Sequence, residues 1–232
     1  MPCVELRAEA RATPHLHLFV PGWAMDWRIF SERSLTESAR LVPRAMLPGV
    51  GEVLVACLAA RPPQSVTLVG WSLGGLVALE ACRACPAAVA RLVLIGCRPH
   101  YPTTQIAAMR DALLTDRRRC LTDFYRQCFL PQHREAYRAF KAQYQEDYLE
   151  SLPQEELLEG LRWLEEQPLD LAGVPVACVE FWHSAADLLA PLEETRTFAA
   201  AHEVSVTIIP GAGHAALLVP EVWRQIMHAA EI

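Results

Sequence analysis

Hydrophobic and polar positions along the chain fall into blocks with two different periods. Residues 15–20 (HLHLFV) are a short apolar run stopped by Pro21-Gly22, which predicts a strand. Residues 52–60 carry helical spacing ended by Pro62-Pro63, and residues 66–70 (VTLVG) form the next buried strand. A helix is predicted from Gly74 to Cys85, then a strand over residues 91–96 (RLVLIG). Strand, helix and strand joined by short links predict an α/β fold with a mostly parallel sheet covered on both faces.

After Gly96 the pattern changes. From Ile106 to Glu166 the chain reads as charged amphipathic helix, broken at Pro131 and Pro153. Strand patterning returns over residues 174–183 (VPVACVEFWH) and 204–210, separated by a helix over 191–201, and a helix over 220–230 closes the chain. The expected organisation is one α/β core, residues 1–98 and 169–232, interrupted by a helical cap over residues 99–168. No repeat of 20 to 50 residues is visible.

Composition narrows the classes. The 232 residues are 52% hydrophobic and 21% charged, with net charge −6, which suits a soluble domain with a large core. No apolar run reaches the ~18 residues of a membrane helix. Charges in the first residues replace the apolar centre of a signal peptide, so a cytoplasmic address without a membrane is expected. The acidic balance argues against a nucleic-acid partner. The eight cysteines lie mostly in apolar stretches and read as reduced packing residues, and Cys82 and Cys85 sit at ordinary helical spacing, so neither metal nor cofactor is expected.

The chemistry centres on Gly70-Trp71-Ser72-Leu73-Gly74, a G-x-S-x-G placed between a predicted strand and the helix that follows. A strand turning sharply into a helix forces its middle residue into a strained backbone state and presents the Ser72 hydroxyl at a helix N-terminus. A serine nucleophile needs a base, and the base needs an orienting acid. Asp187 follows a predicted strand, and His214 lies 27 residues later in the loop PGAGHAALLVPE, beyond the next strand. The order Ser72, Asp187, His214 is that of an α/β-hydrolase triad. The plainer alternatives are a Gly-rich turn, a helix-capping aspartate and a loop histidine. An oxyanion hole is expected from the backbone N–H groups of Leu73 and of Trp23, in the loop PGWAMDW. Among the remaining histidines, His15, His17, His133, His202 and His228 read as structural. His183 ends a strand near the site, and His100 is placed near the pocket mouth.

These segments resemble a known group within the α/β-hydrolase fold, the pimeloyl-acyl-carrier-protein methyl ester esterases of biotin synthesis. The similarity runs through PGWAMDWRIF, GWSLGGLVALEA, LEGLRWLEEQPLDLAGVPVACVEF and GAGHAALLVPE. It implies hydrolysis of a pimeloyl methyl ester by a triad of Ser72, Asp187 and His214, with substrate held at Trp23, Leu73 and the cap segment Phe124, Tyr125, Arg126, Gln127 and Cys128. It also implies that Arg117, Arg118, Arg119 and Arg126 grip an acidic acyl-carrier protein. Residues 110–141 carry a net charge of +4 and residues 146–166 a net charge of −7, so the basic face is local. A solvated helix face accounts for the same charges.

Two departures from the pattern stand out. Pro21 replaces a histidine common in the group, and the stretch from Leu41 to Gly51 is short, which trims the sheet edge. A generalist carboxylesterase acting on small free esters, carbon–carbon bond hydrolysis, and a non-catalytic ligand-binding protein of the same fold are the alternatives. Dehalogenase and epoxide-hydrolase chemistry is disfavoured, because those enzymes place an aspartate at the elbow.

Overall fold

In the computed structural model, which describes residues 15–30, 39–42, 44–129, 134–218 and 220–228, six parallel strands form one sheet in the order β2-β1-β3-β4-β5-β6. The strands are β1 (Leu16–Val20), β2 (Ala39–Leu41), β3 (Val66–Trp71), β4 (Val89–Ile95), β5 (Val179–Ser184) and β6 (Val206–Ile209). Every residue of β1 and of β3 is buried, as strands covered by helices on both faces must be. Helices α1 (Val50–Ala59), α2 (Leu73–Ala84), α8 (Leu192–Ala201) and α9 (Pro220–His228) belong to this core. The strand order reverses between β1 and β3, so the loops leaving their C-terminal ends diverge and open a crevice there.

Between β4 and β5 the described residues form helices and no strand: α3 (Thr103–Thr115), α4 (Arg117–Cys128), α5 (Arg134–Phe140), α6 (Glu146–Ser151) and α7 (Gln154–Glu166), with a π-helical turn at Lys141–Gln145. This insert lies over the crevice. Gly160 of α7 packs so tightly that a β-carbon there would sit 2.6 Å from the Trp23 ring and 3.0 Å from the Leu73 side chain. The Trp23 indole N–H donates to the Leu157 carbonyl at 2.8 Å.

Two expectations change. Residues 174–178 are a turn and a short 3₁₀ segment, and β5 starts only at Val179. The pairing of β4 with β5 begins at Leu92 with Val179, and Pro175 has no N–H to give a ladder. The edge strand β2, which carries no strong apolar pattern, is three residues long and pairs with β1. Cys3, Pro131 and His133 lie outside the described residues. Among the described residues Cys57, Cys82, Cys85, Cys97, Cys120, Cys128 and Cys178 form no disulfide. No described helix is long and apolar enough to cross a membrane.

Candidate active site

Ser72 sits between β3 and α2 with φ 52° and ψ −122°, a conformation that L-residues rarely adopt. Its neighbours explain how the chain makes so sharp a turn. A β-carbon at Gly74 would lie 2.4 Å from the Val20 and Pro21 carbonyl oxygens, and one at Gly75 would lie 2.2 Å from the Cys97 sulfur. Side chains are therefore excluded on the inner side of the elbow. The Ser72 N–H donates to the Ile95 carbonyl at 2.8 Å, and the Ser72 carbonyl accepts from Gly75 N–H at 2.8 Å. Leu73 is the first residue of α2, so its N–H has no partner four residues back in the helix.

Asp187 and His214 meet at the same end of the sheet, from the loops after β5 and β6. His214 Nδ1 lies 2.8 Å from Asp187 Oδ2, and both side chains are buried. Asp187 Oδ1 accepts the N–H groups of Leu189 and Ala190, each at 2.9 Å. Burial opposes the carboxylate charge, but His214 and the Ala190 amide outweigh it and hold Asp187 below the ordinary aspartate range. With Nδ1–H directed at the aspartate, Nε2 is the nitrogen left to exchange a proton.

Three contacts fix this pair. The Trp71 indole N–H donates to the His214 carbonyl at 2.9 Å. The Ser184 hydroxyl donates to the Ala212 carbonyl, holding the start of the histidine loop against the end of β5. Gly96, after β4, has φ 58°, and a β-carbon there would lie 3.3 Å from His214 Nδ1 and 3.4 Å from Asp187 Oδ2.

Ser72 and His214 open on one cavity of about 40 Å³, walled by Trp23, Tyr101, Ile106, Met109, Phe124 and Leu161 among others. This is room for only a few waters, so a longer ligand enters only if these walls part. Tyr101 carries no signal in the sequence pattern. It is buried, it lines the same cavity as Ser72, and burial raises its pKa well above that of an ordinary phenol. Tyr101, Trp71, Ser184 and Gly96 each act through contacts between distant segments, which no local pattern signals. A larger groove of about 780 Å³ between α1 and α7 contains neither Ser72 nor His214.

The remaining expected residues divide. Of the cap segment only Phe124 lines the cavity, meeting Trp23 edge-on with ring centres 4.7 Å apart. Tyr125 is fully buried behind it, Arg126 and Gln127 face solvent, and the Cys128 carbonyl accepts from Ala215 N–H at 2.9 Å. Arg118, Arg119 and Arg126 are exposed on α4, paired with Glu146 or Asp123. Arg117 instead turns inward, and its guanidinium donates to the Leu149 and Leu152 carbonyls at the end of α6. His183 Nε2–H donates to the Ala190 carbonyl at 2.6 Å, and burial lowers its pKa, so it is a neutral support behind Asp187. His100 lines a separate surface groove with Glu193 and Phe198. Among the described residues no cluster of His, Cys, Asp or Glu is arranged to hold a metal.

A profile of the alpha/beta hydrolase family matches residues 5–226. The chain belongs to that family. Over part of its length it is similar to proteins named pimeloyl-acyl-carrier-protein methyl ester esterase. The relative from Aromatoleum aromaticum is 38% identical over 92 residues, 35% of this chain and 37% of the relative. The one from Photobacterium profundum is 31% identical over 119 residues, 46% of each chain. The alignments thus span between about a third and a half of the relatives' lengths. A bromoperoxidase from Bacillus anthracis superposes with TM-score 0.69 at 17% identity, covering 93% of this chain and 92% of its own. A hydrolase from Oleispira antarctica superposes with TM-score 0.72 at 11% identity, covering 95% of this chain and 92% of its own. At these identities the likeness establishes the fold alone.

Proposed function

We propose that this chain is a serine carboxylesterase that cleaves the methyl ester of a pimeloyl chain carried on acyl-carrier protein. The observation that carries the reading is the buried Asp187–His214 pair, 2.8 Å apart, opening on the cavity that holds the strained Ser72. In the proposed reaction the Ser72 hydroxyl attacks the ester carbonyl while His214 Nε2 takes its proton. Asp187 holds the ring and stabilises the imidazolium. The N–H groups of Trp23 and Leu73 receive the oxyanion. His214 then protonates the departing methoxide, methanol leaves, and a water activated by the same histidine releases the acyl chain from Ser72. Tyr101, which lines the cavity with the serine, keeps its proton because burial disfavours the phenolate.

Residues 99–168 act in this reading as a cap that encloses the acyl chain and limits access to the hydrolytic water. The names of the relatives and the exposed Arg118, Arg119 and Arg126 support the carrier-linked substrate, because an acidic carrier is steered by a basic face. The tight cavity of about 40 Å³ favours a second reading, a generalist esterase for small free esters.

The discriminating experiment compares kcat/KM for methyl pimeloyl-carrier protein with that for the free methyl ester. Carrier-linked hydrolysis is expected to be faster by at least about tenfold. Reversing Arg118, Arg119 and Arg126 to Glu is expected to remove that advantage, most strongly at low salt, while sparing the free ester. Equal rates on both substrates, unaffected by the reversals, would leave the generalist esterase.

A further inference from the structure

The loop that supplies the Trp23 N–H is bent through Ala24, whose φ of 56° lies in the left-handed region. A β-carbon disfavours that state, and alanine has no polar side chain to hold it locally. The loop passes directly against the serine, for a β-carbon on Gly22 would sit 3.4 Å from the Ser72 β-carbon. Something outside the loop must keep it bent.

The geometry points to Tyr125 of the helical insert as a positioning residue for the oxyanion loop: its hydroxyl holds the Ala24 carbonyl, which keeps Ala24 in its strained state and so fixes the Trp23 N–H two peptide units earlier. The inference rests on the serine-esterase reading above. The Tyr125 hydroxyl donates to the Ala24 carbonyl at 2.8 Å in a fully buried setting, joining residues 101 positions apart. The ring is itself immobilised among Phe124, Phe140 and Tyr148, at centre distances of 5.8, 5.2 and 6.1 Å. Burial raises the phenol pKa far above its ordinary value, so the proton stays on oxygen at every working pH.

The rest of the loop is gripped from the same side. The Trp23 indole is tied to the Leu157 carbonyl of α7. Asp26 receives the Arg28 backbone N–H at 2.9 Å, and the Arg28 guanidinium bridges Asp26 to Asp147 and Ser151 of α6. Trp23, Ala24 and Asp26 thus each have a link to the insert, and the oxyanion hole is complete only while the insert is seated. Tyr125 is the link nearest the strained peptide, and it is not among the residues that line the cavity that would hold substrate.

The test is Tyr125→Phe, which keeps the ring and removes only the hydrogen bond. Hydrolysis of p-nitrophenyl acetate is expected to lose about 10- to 100-fold in kcat with KM within about twofold, the loss falling below that for deleting a whole oxyanion donor. The Kd of a boronic acid that mimics the tetrahedral intermediate is expected to weaken by the same factor as kcat/KM. Adding Ala24→Gly, which relieves the left-handed strain, is expected to restore part of kcat. A lowered Tm with unchanged kcat would make Tyr125 a packing residue only, and a raised KM with unchanged kcat would make it a substrate contact. Either result overturns the assignment. If the unaltered chain shows no hydrolysis dependent on Ser72, the esterase reading fails and this one with it; turnover that Tyr125→Phe leaves intact fells this one alone.

Discussion

Gly96 ends β4 in the left-handed region and presents bare backbone to the Asp187–His214 pair. Gly96→Ala would place a methyl group 3.3 Å from His214 Nδ1 and 3.4 Å from Asp187 Oδ2, while forcing alanine into a backbone state that costs about 1 kcal/mol. The expected outcome is a kcat loss of roughly tenfold or more from displacing the pair, with Tm lower by about 2–4 °C. Steady-state kinetics and a thermal melt check both; an unchanged kcat would mean that the pair tolerates displacement. At this scale legibility is uneven. Ser72, Asp187 and His214 are readable because each follows a strand and stands beside a glycine or helix-start signal. Gly96 shows only as a strand stop and Tyr101 only as a loop aromatic, since their importance comes from what folds against them.

At the scale of elements, the buried strands β1, β3 and β4 and the helices after them are legible, because a short continuous apolar run bounded by Gly and Pro suits a strand covered on both faces. The start of β5 is not, since residues 174–178 are as apolar as a strand but have no neighbour to pair with. β2 is too short to announce itself, and exists because β1 offers a free edge. The insert is legible as helices but not as a set of contacts. Arg118, Arg119 and Arg126 of α4 stay outside, whereas Arg117 turns inward to the carbonyls ending α6, a choice set by the position of a helix 32 residues away. The same holds for Tyr125, which helical spacing alone cannot assign to the Trp23 loop.

For the whole molecule, the net charge of −6 conceals two opposed halves of the insert, so the overall sign says little about an acidic partner. Stability against pH is set partly by buried histidines far from the site. Burial, followed by the positive potentials of His15 and Arg91, lowers the pKa of His17 from 6.5 to about 4. As pH falls from 6.5 toward 4, the unfolded chain binds a proton that the folded chain refuses, so stability is full above 6.5 and declines through that window. Roughly 1 to 2 kcal/mol should be lost through His17 between pH 7 and 4.5, with His15 and His183 adding in the same direction. Urea titrations of His17→Gln should show a shallower decline than the unaltered chain, and identical slopes would reject His17 as the source. Asp187, with its pKa lowered, contributes stability that is lost only below the ordinary aspartate range, so the two effects separate on the pH axis.

In the proposed reading sheet, elbow and insert converge on one activated serine, and a reagent that reacts only with such a serine tests that convergence directly. The decisive measurement is labelling of the purified protein with a fluorophosphonate, followed by mass analysis of the peptides, with His214→Ala alongside. A single adduct on Ser72 of the unaltered chain is expected, with labelling slowed by at least about a hundredfold in His214→Ala. An adduct elsewhere, no adduct at all, or labelling of Ser72 at the same rate without His214 would contradict the triad.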